Sequence, residues 1–245
     1  MKKILSLSLV TAVMAAGLFA SPTVLTEKQI QENIDLFPKL FKGQDISVDR
    51  AVREDNFDHL EFSAKTPKGM VRFEAFVIKG KEPSIIVGKA FKQSGQPYEL
   101  PKSTGVIENG VAFSLGHGQE EFYLVTDPEC PYCQDYEDDI AKKLDLDKYT
   151  IHVIPIALNF HKQAKPMLQW VLSAPTKKDR ATRMNTVMSG DSKWKDFIPM
   201  KEQREKNDKV LEAAENAAYA LGATGTPALF DSNFKKVQNR NKIFE

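Results

Sequence analysis

The chain has 245 residues, 34 Lys and Arg against 33 Asp and Glu, and two cysteines. A formal charge of +1, or −1 once Lys2 and Lys3 are set aside, leaves no bulk basicity to draw in nucleic acid or an anionic membrane. Two cysteines exclude a disulfide framework, and the length suits one large or two modest domains.

Residues 1–20 read as a secretory signal peptide: Lys2-Lys3, an apolar run from Ile4 through Phe19, and small residues near Ala20-Ser21. The run is short for a membrane span and is interrupted by Ser6, Ser8 and Thr11, although an uncleaved anchor is the competing reading. Ala20 and Gly17 are the candidate cleavage positions. An export signal bears on the chemistry, because disulfides persist outside the cytosol.

Residues 21–91 read as a small α+β unit. Thr26-Glu-Lys-Gln29 has the form of a capping box, and Ile30, Ile34 and Phe37 lay an apolar stripe on a helix expected to end at Pro38. Four β-rich runs follow: Ile46 to Val52, Leu60 to Ala64, Val71 to Ile78 and Ile85 to Phe91. Val71, Phe73, Ala75 and Val77 alternate with Arg72 and Glu74, the pattern of an antiparallel sheet with one solvated face. A unit this small often gains stability by association, though an exposed sheet edge only invites pairing, so a monomeric accessory domain stays open. Residues 92–110, dense in Pro, Gly and polar residues, read as a non-helical linker between domains.

Residues 111–245 form the second domain. Val111, Phe113 and Leu115 mark a strand ending at Gly116-His117-Gly118, where His117 reads as a turn residue. The run from Glu121 to Thr126 reads as a strand, Asp127-Pro-Glu-Cys130 as a turn, and the stretch to Leu144 as a helix with Tyr136, Ile140 and Leu144 spaced by four. Cys130 then stands at the mouth of a helix and Cys133 one turn further in. Unpaired N–H groups and the helix dipole there favour a thiolate, and thiols so placed have pKa values lowered to roughly 3.5–7.5. One sulfur is a nucleophile and the second can resolve a mixed disulfide. Three other readings compete. A structural zinc site lacks a second ligand pair, since His59, His117, His152 and His161 have no ligand-like spacing. A structural staple gains little from so short a loop. Buried inert thiols fit less well than an exposed turn with Pro131-Tyr132 between the cysteines.

Ile151 to Pro155 gives the next strand, expected to pair in parallel with the first through a crossover. From Gln163 to Ala220 the signals are helical: Met167, Trp170 and Val171 form one stripe, and Val210, Ala213, Ala214, Ala217, Ala218 and Leu221 another, stopped by Gly222. Met167, Trp170 and Met184 read as core, and the charges at Lys177 to Arg180 and Lys201 to Lys209 as a solvated face. Thr226 to Phe230 reads as a strand, Asp231-Ser-Asn233 as a hairpin turn and Phe234 to Val237 as its partner strand. Only Asn239 to Glu245 remains for a closing helix, which is expected to be a stub or absent.

Thr126-Asp-Pro-Glu-Cys-Pro-Tyr-Cys133, with Gly225-Thr226-Pro227 further on, resembles the DsbC/DsbG family of periplasmic thiol:disulfide interchange proteins. The resemblance implies an N-terminal cystatin-like α+β dimerisation domain followed by an α/β thioredoxin-like domain with a helical insertion. It implies a cis Pro227 lying against the cysteine pair, Cys130 and Cys133 as catalytic residues, and Thr226 and Pro227 as substrate-binding residues. Pro131 and Tyr132 would tune the active site, and no metal or other cofactor is expected. The implied protein is a homodimeric disulfide isomerase or reductase with chaperone-like binding, in the periplasm of a Gram-negative bacterium. Its partners would be exported proteins with disulfides or oxidised thiols, and a DsbD-like membrane reductase. Two alternatives stand beside it: a DsbA-like oxidase recharged by a DsbB-like partner, and a dimeric holdase in which the cysteines are incidental.

Overall fold

Thr26 begins the first helix as its sequence requires. Its hydroxyl accepts from the Gln29 amide while the Gln29 side chain accepts from the Thr26 amide, which closes the capping box. The computed structural model describes residues 23–41, 45–54, 56–66 and 69–244. The signal-peptide segment 1–20 lies outside the described residues. Among the described residues no helix is long and apolar enough to cross a membrane. Two units are delimited, with the division at Pro101/Lys102.

The first unit comprises β1 (Thr23–Val24), α1 (Glu27–Asp35), α2 (Pro38–Phe41), β2 (Ile46–Arg53), β3 (Phe57–Thr66), β4 (Gly69–Ile78) and β5 (Ser84–Val87). The strands form one antiparallel sheet in sequence order. Pro38 does stop α1, but it also starts α2, as a ring with fixed φ and no N–H suits a first helical turn. Ile30, Ile34, Phe37 and Phe41 pack on Leu60, Phe62, Phe73, Ala75 and Val77. The expectation of a solvated second face is corrected: His59, Glu61, Ser63 and Phe76 on that face are buried. His59 stacks on Phe76 at 4.2 Å between ring centroids, and Tyr98 sets its ring edge-on to Phe57 and Phe76. The polar members of this face are paired rather than solvated. A bulge at Val48/Arg50 brings Arg50 opposite Glu61, where Nε and Nη2 donate to the two carboxylate oxygens at 2.6 and 2.9 Å. The strand expected to run to Phe91 ends at Val87; Phe91 instead bridges to Pro97 as the chain turns back. Within 92–110, read as a non-helical linker, 92–97 is an exposed turn, Tyr98 and the Pro101 carbonyl contact the sheet of the first unit, and 104–109 are helical.

The second unit contains α3 (Thr104–Asn109), β6 (Phe113–Gly116), β7 (Glu120–Thr126), α4 (Pro131–Lys143), β8 (Tyr149–Pro155), α5 (Ala164–Leu172), α6 (Lys177–Met188), α7 (Lys201–Leu221) and β9 (Ala228–Asp231), with 3-10 turns at Lys193–Asp196 and Arg240–Phe244. Its sheet runs β6-β8-β7-β9, with β7 and β8 parallel as expected and the other pairs antiparallel. Leu124, Ile151 and Val153 face a layer that includes α4, α5 and α6. Tyr123, Val125 and Ile154 face α3 and α7. The two helices approach closely because Gly110 has no side chain: a Cβ there would lie 2.3 Å from that of Ala217. Met167 and Met184 are core, with Trp170 packed against them. The charged stretches are largely exposed, but Arg180 reaches the Ala112 carbonyl at 3.2 Å, and Asn207, amid the charges of α7, is buried on the carbonyl and side chain of Gln169. The expected partner strand at Phe234 to Val237 is reduced to a single bridge, Phe230 to Lys236. Asp231 explains this, since its carboxylate takes the Asn233 and Lys235 amides and leads the chain through Phe234 at φ 61°. The closing helix is a stub, Arg240–Phe244, which buries Ile243 beside Tyr136 and Ile140.

One carboxylate ties the first unit together. Asp58 is 1% exposed and accepts from Asn33 of α1, Arg53 of β2 and Lys79 just past β4, at 2.8–3.1 Å. Burial pushes its pKa up, but these three donors outweigh burial and hold it at about 2. A pKa depressed on folding supplies stability above the unfolded value that is lost as pH falls through the folded one. Stability of the wild type should therefore drop by on the order of 1–2 kcal/mol between about pH 4 and pH 2. Asp58→Asn should start less stable and show a flatter acid limb in denaturant titrations of this unit's transition.

Candidate active site

β7 and α4 build the site between them. β7 ends at Thr126, Asp127 turns the chain, and Cys130 takes the N-cap of α4 at φ −77°, ψ 118° with Pro131 in the first turn. The Cys130 carbonyl accepts the first helical bonds from the Cys133 and Gln134 amides at 3.0 and 3.1 Å. Pro131 is tolerated because the amide it lacks would have no helical partner. The Cys130 side chain does not cap the helix. Its sulfur faces the Thr226 carbonyl at 3.7 Å, and the Thr226–Pro227 peptide is cis, as the sequence resemblance implied.

The two sulfurs occupy different environments. Cys130 is 6% exposed, next to Tyr132, which is 74% exposed, whereas Cys133 is 0% exposed. The expectation of an exposed turn thus holds for Tyr132 and is corrected for the thiols, because the helix rotates Cys133 inward and Thr226, just before β9, lies against the pair. Burial pushes the Cys133 thiol up to about 12; the Asp127 amide, which donates to its sulfur at 3.4 Å, offsets only part of this. Cys133 is a thiol at neutral pH and no external disulfide reaches it. Of the two cysteines, only Cys130 retains any exposure.

Four residues that sequence reasoning missed surround the cysteines. Glu137, one turn beyond Cys133 on the buried face of α4, is 4% exposed and accepts a hydrogen bond from the Thr126 hydroxyl. Burial raises its carboxyl to about 7 against the lowering effect of that hydroxyl. Asp127 is fully buried and accepts from the Glu129 amide, the Leu158 amide and His161 Nδ1 at 2.7–3.0 Å. Glu129 accepts from the Gln163 and Ala164 amides, and so satisfies orphan donors at the start of α5. Asp127 and Glu129 thereby fasten the 158–164 loop to the cysteine turn. A helical count of four from Cys133 could have found Glu137; nothing in the spacing announces His161. Tyr132, Thr226, Pro227, Lys236 and Arg240 help to line a cavity of about 440 Å³, which Thr226, in contact with the Cys130 sulfur, joins to the cysteine turn.

A strand, an N-cap cysteine, a second cysteine one turn on and a cis-proline facing them now stand together. Residues 113–237, a little over half of the chain, match the family described as the thioredoxin-like domain. The chain belongs to that family. No curated protein sequence matches the chain. Among solved structures it is similar to DsbG from Helicobacter pylori, at 11% identity over 82% of this chain and 99% of that one, with a TM-score of 0.41. It is also similar to the catalytic domain of ScsC from Proteus mirabilis, at 19% identity over 52% of this chain and 81% of that one, with a TM-score of 0.39. A disulfide interchange protein from Neisseria gonorrhoeae matches at 21% identity over 48% of this chain and 77% of that one, with a TM-score of 0.37. In this thioredoxin-like domain the first family residues begin with β6, and the β1–β5 sheet lies outside the match.

Glu137 is the group whose titration the site should reveal. An acid whose pKa is raised on folding supplies its stability below the unfolded value and loses it as pH rises through the folded one. Wild-type stability should fall by on the order of 3 kcal/mol between about pH 4.5 and pH 7 from this group alone. Glu137→Gln keeps an acceptor for Thr126 and should abolish that fall, as read from denaturation midpoints across the pH range. Parallel curves for the two proteins would show that folding does not raise the Glu137 pKa.

Proposed function

We propose that the protein is a periplasmic thiol-disulfide oxidoreductase that acts mainly as a disulfide isomerase and reductase on exported proteins. The observation that carries the proposal is the asymmetry of the two thiols: Cys130 at a helix N-cap beside an exposed tyrosine, Cys133 one turn deeper with its proton held by burial. Membership of the thioredoxin-like family supports it, as does the sequence resemblance to DsbC and DsbG.

The steps follow from that asymmetry. The Cys130 thiolate attacks one sulfur of a substrate disulfide, forms a mixed disulfide and expels the other substrate sulfur as a thiolate. Thr226 and Pro227 line the approach and offer backbone to an extended segment. A substrate thiolate can then attack the substrate sulfur of the mixed disulfide, which regenerates Cys130 and leaves a rearranged pairing. Alternatively Cys133 attacks the Cys130 sulfur, which releases reduced substrate and leaves an intramolecular disulfide. That second route requires Cys133 to lose its proton. The Thr126 hydroxyl, in contact with both Cys133 and Glu137, connects the thiol to a carboxylate whose pKa near 7 suits it to accept the proton. Pro131 and Tyr132 set the solvent exposure of the attacking sulfur and with it the redox poise. A DsbD-like partner would keep Cys130 reduced, and a second copy of the chain would present a second site.

Cys130→Ser should abolish rearrangement of a scrambled disulfide substrate, whereas Cys133→Ala should retain attack and accumulate mixed disulfides visible on non-reducing gels. Full activity in the Cys130 variant would sink the proposal. The direction of use is read in cells by acid quenching and maleimide alkylation. A reduced cysteine pair is expected, and a mostly oxidised pair would make the protein a disulfide donor of the DsbA kind.

A further inference from the structure

The cavity beside Cys130 has a charge that disulfide exchange does not itself require. No Asp or Glu lines it, while Lys236 and Arg240 both do. Arg240 is fixed in place: its Nη1 donates to the Pro227 carbonyl at 3.1 Å and its guanidinium lies 5.2 Å from the centre of the Tyr136 ring. Neither contact neutralises it. Lys236 is exposed. Most carboxylates on the elements around the cavity are committed elsewhere, and the exposed Asp135 of α4, which is not, does not line it. Glu129 holds the Gln163 and Ala164 amides, and Asp127 holds Glu129, Leu158 and His161. Asp231 holds the Asn233 and Lys235 amides, and Asp138 and Asp139 of α4 pair with Lys142 and Lys143. Two cations thus face one cavity, and among the described residues no ion pair to a carboxylate is formed by either.

The cavity is also within reach of the reacting atom. Thr226 lines it, and the Thr226 carbonyl is 3.7 Å from the Cys130 sulfur. An extended segment advances about 3.3 Å per residue, so a cysteine attached to Cys130 places the side chain one or two residues away at the cavity. Resting on the thiol-exchange reading above, we propose that the cavity selects substrate segments with an acidic residue next to the reacting cysteine, whose carboxylate meets Lys236 with Arg240 behind it. The covalent step is unchanged: Cys130 thiolate attacks, the mixed disulfide forms and the other substrate sulfur leaves as thiolate. The two cations act on the neighbouring carboxylate, and therefore on which disulfides are taken.

The test uses the reduced full-length protein and three disulfide-linked peptides identical except for Glu, Gln or Lys beside the cysteine. Each exchange rate is divided by the rate of the same peptide with a neutral small dithiol, which removes the effect of flanking charge on intrinsic thiol reactivity. Exposed pairs are modest and salt-sensitive, so the expected order is Glu over Gln over Lys, with a Glu-to-Lys ratio of about tenfold at low salt that shrinks in high salt. Lys236→Glu should reverse the ratio and Lys236→Gln should bring it close to one. Equal normalised rates for the Glu and Lys peptides in the wild type, or an order that Lys236→Glu leaves in place, overturns the proposal while exchange with the Gln peptide continues. Absence of exchange with all three peptides overturns the thiol-exchange reading as well.

Discussion

One turn of helix separates a sulfur at the mouth of α4, beside an exposed tyrosine, from a sulfur that is fully buried. That rotation is set by where α4 begins. With Cys130 as the N-cap, its carbonyl takes the first helical amides, its side chain points toward the Thr226 carbonyl, and Cys133 is carried into the apolar layer with Tyr136 and Ile140. A helix started one residue earlier or later would turn both thiols by about 100° and end the distinction. The rest of the second unit serves to hold this register. β7 delivers Asp127, Asp127 bonds the Glu129 and Leu158 amides, and Glu129 caps α5. A buried carboxylate without such partners is costly, so the turn is stable only while these bonds are made together.

Glu137 has the opposite energetic character. It is buried with one donor, and its raised pKa shows that its ionised form is unfavourable where it sits. A glutamine of the same shape would relieve the cost, so stability does not account for a carboxyl at this position. Its value in the proposed chemistry lies in that discomfort, because a carboxylate poised near neutrality beneath a protonated thiol can exchange a proton with it.

The parts of the fold governed by short-range pattern were legible in the sequence. The capping box at Thr26, the parallel β7–β8 pair, the helix after Cys130 and the glycine stop at Gly222 follow from local chemistry that operates within a turn or two. What was not legible came from pairings distant in sequence. The alternation in β4 suggested a solvated face, but Tyr98, more than twenty residues on, returns to cover it. The second strand of the last hairpin was lost to a single side chain, Asp231, which takes the Lys235 amide that a strand would have used. At the site, both cysteines and the cis-proline were identified from motif, while Asp127, Glu137 and His161 were not, since their roles depend on which backbone amides and hydroxyls the fold brings within reach.

The same burial that protects Cys133 bears on the direction of the proposed chemistry. A mixed disulfide on Cys130 has two fates, and they compete by rate. Resolution by Cys133 must first remove a proton that burial holds with a pKa of about 12. Attack by a substrate thiolate needs no such removal inside the protein. A deeper and better insulated Cys133 therefore prolongs the mixed disulfide and gives the substrate time to re-pair its own sulfurs, which is isomerisation. The Thr126–Glu137 connection works against that delay by giving the proton a destination. In the proposed chemistry, the balance between rearranging a substrate and reducing it is thus set by how far burial of one thiol is offset by one buried carboxyl, four residues along the same helix.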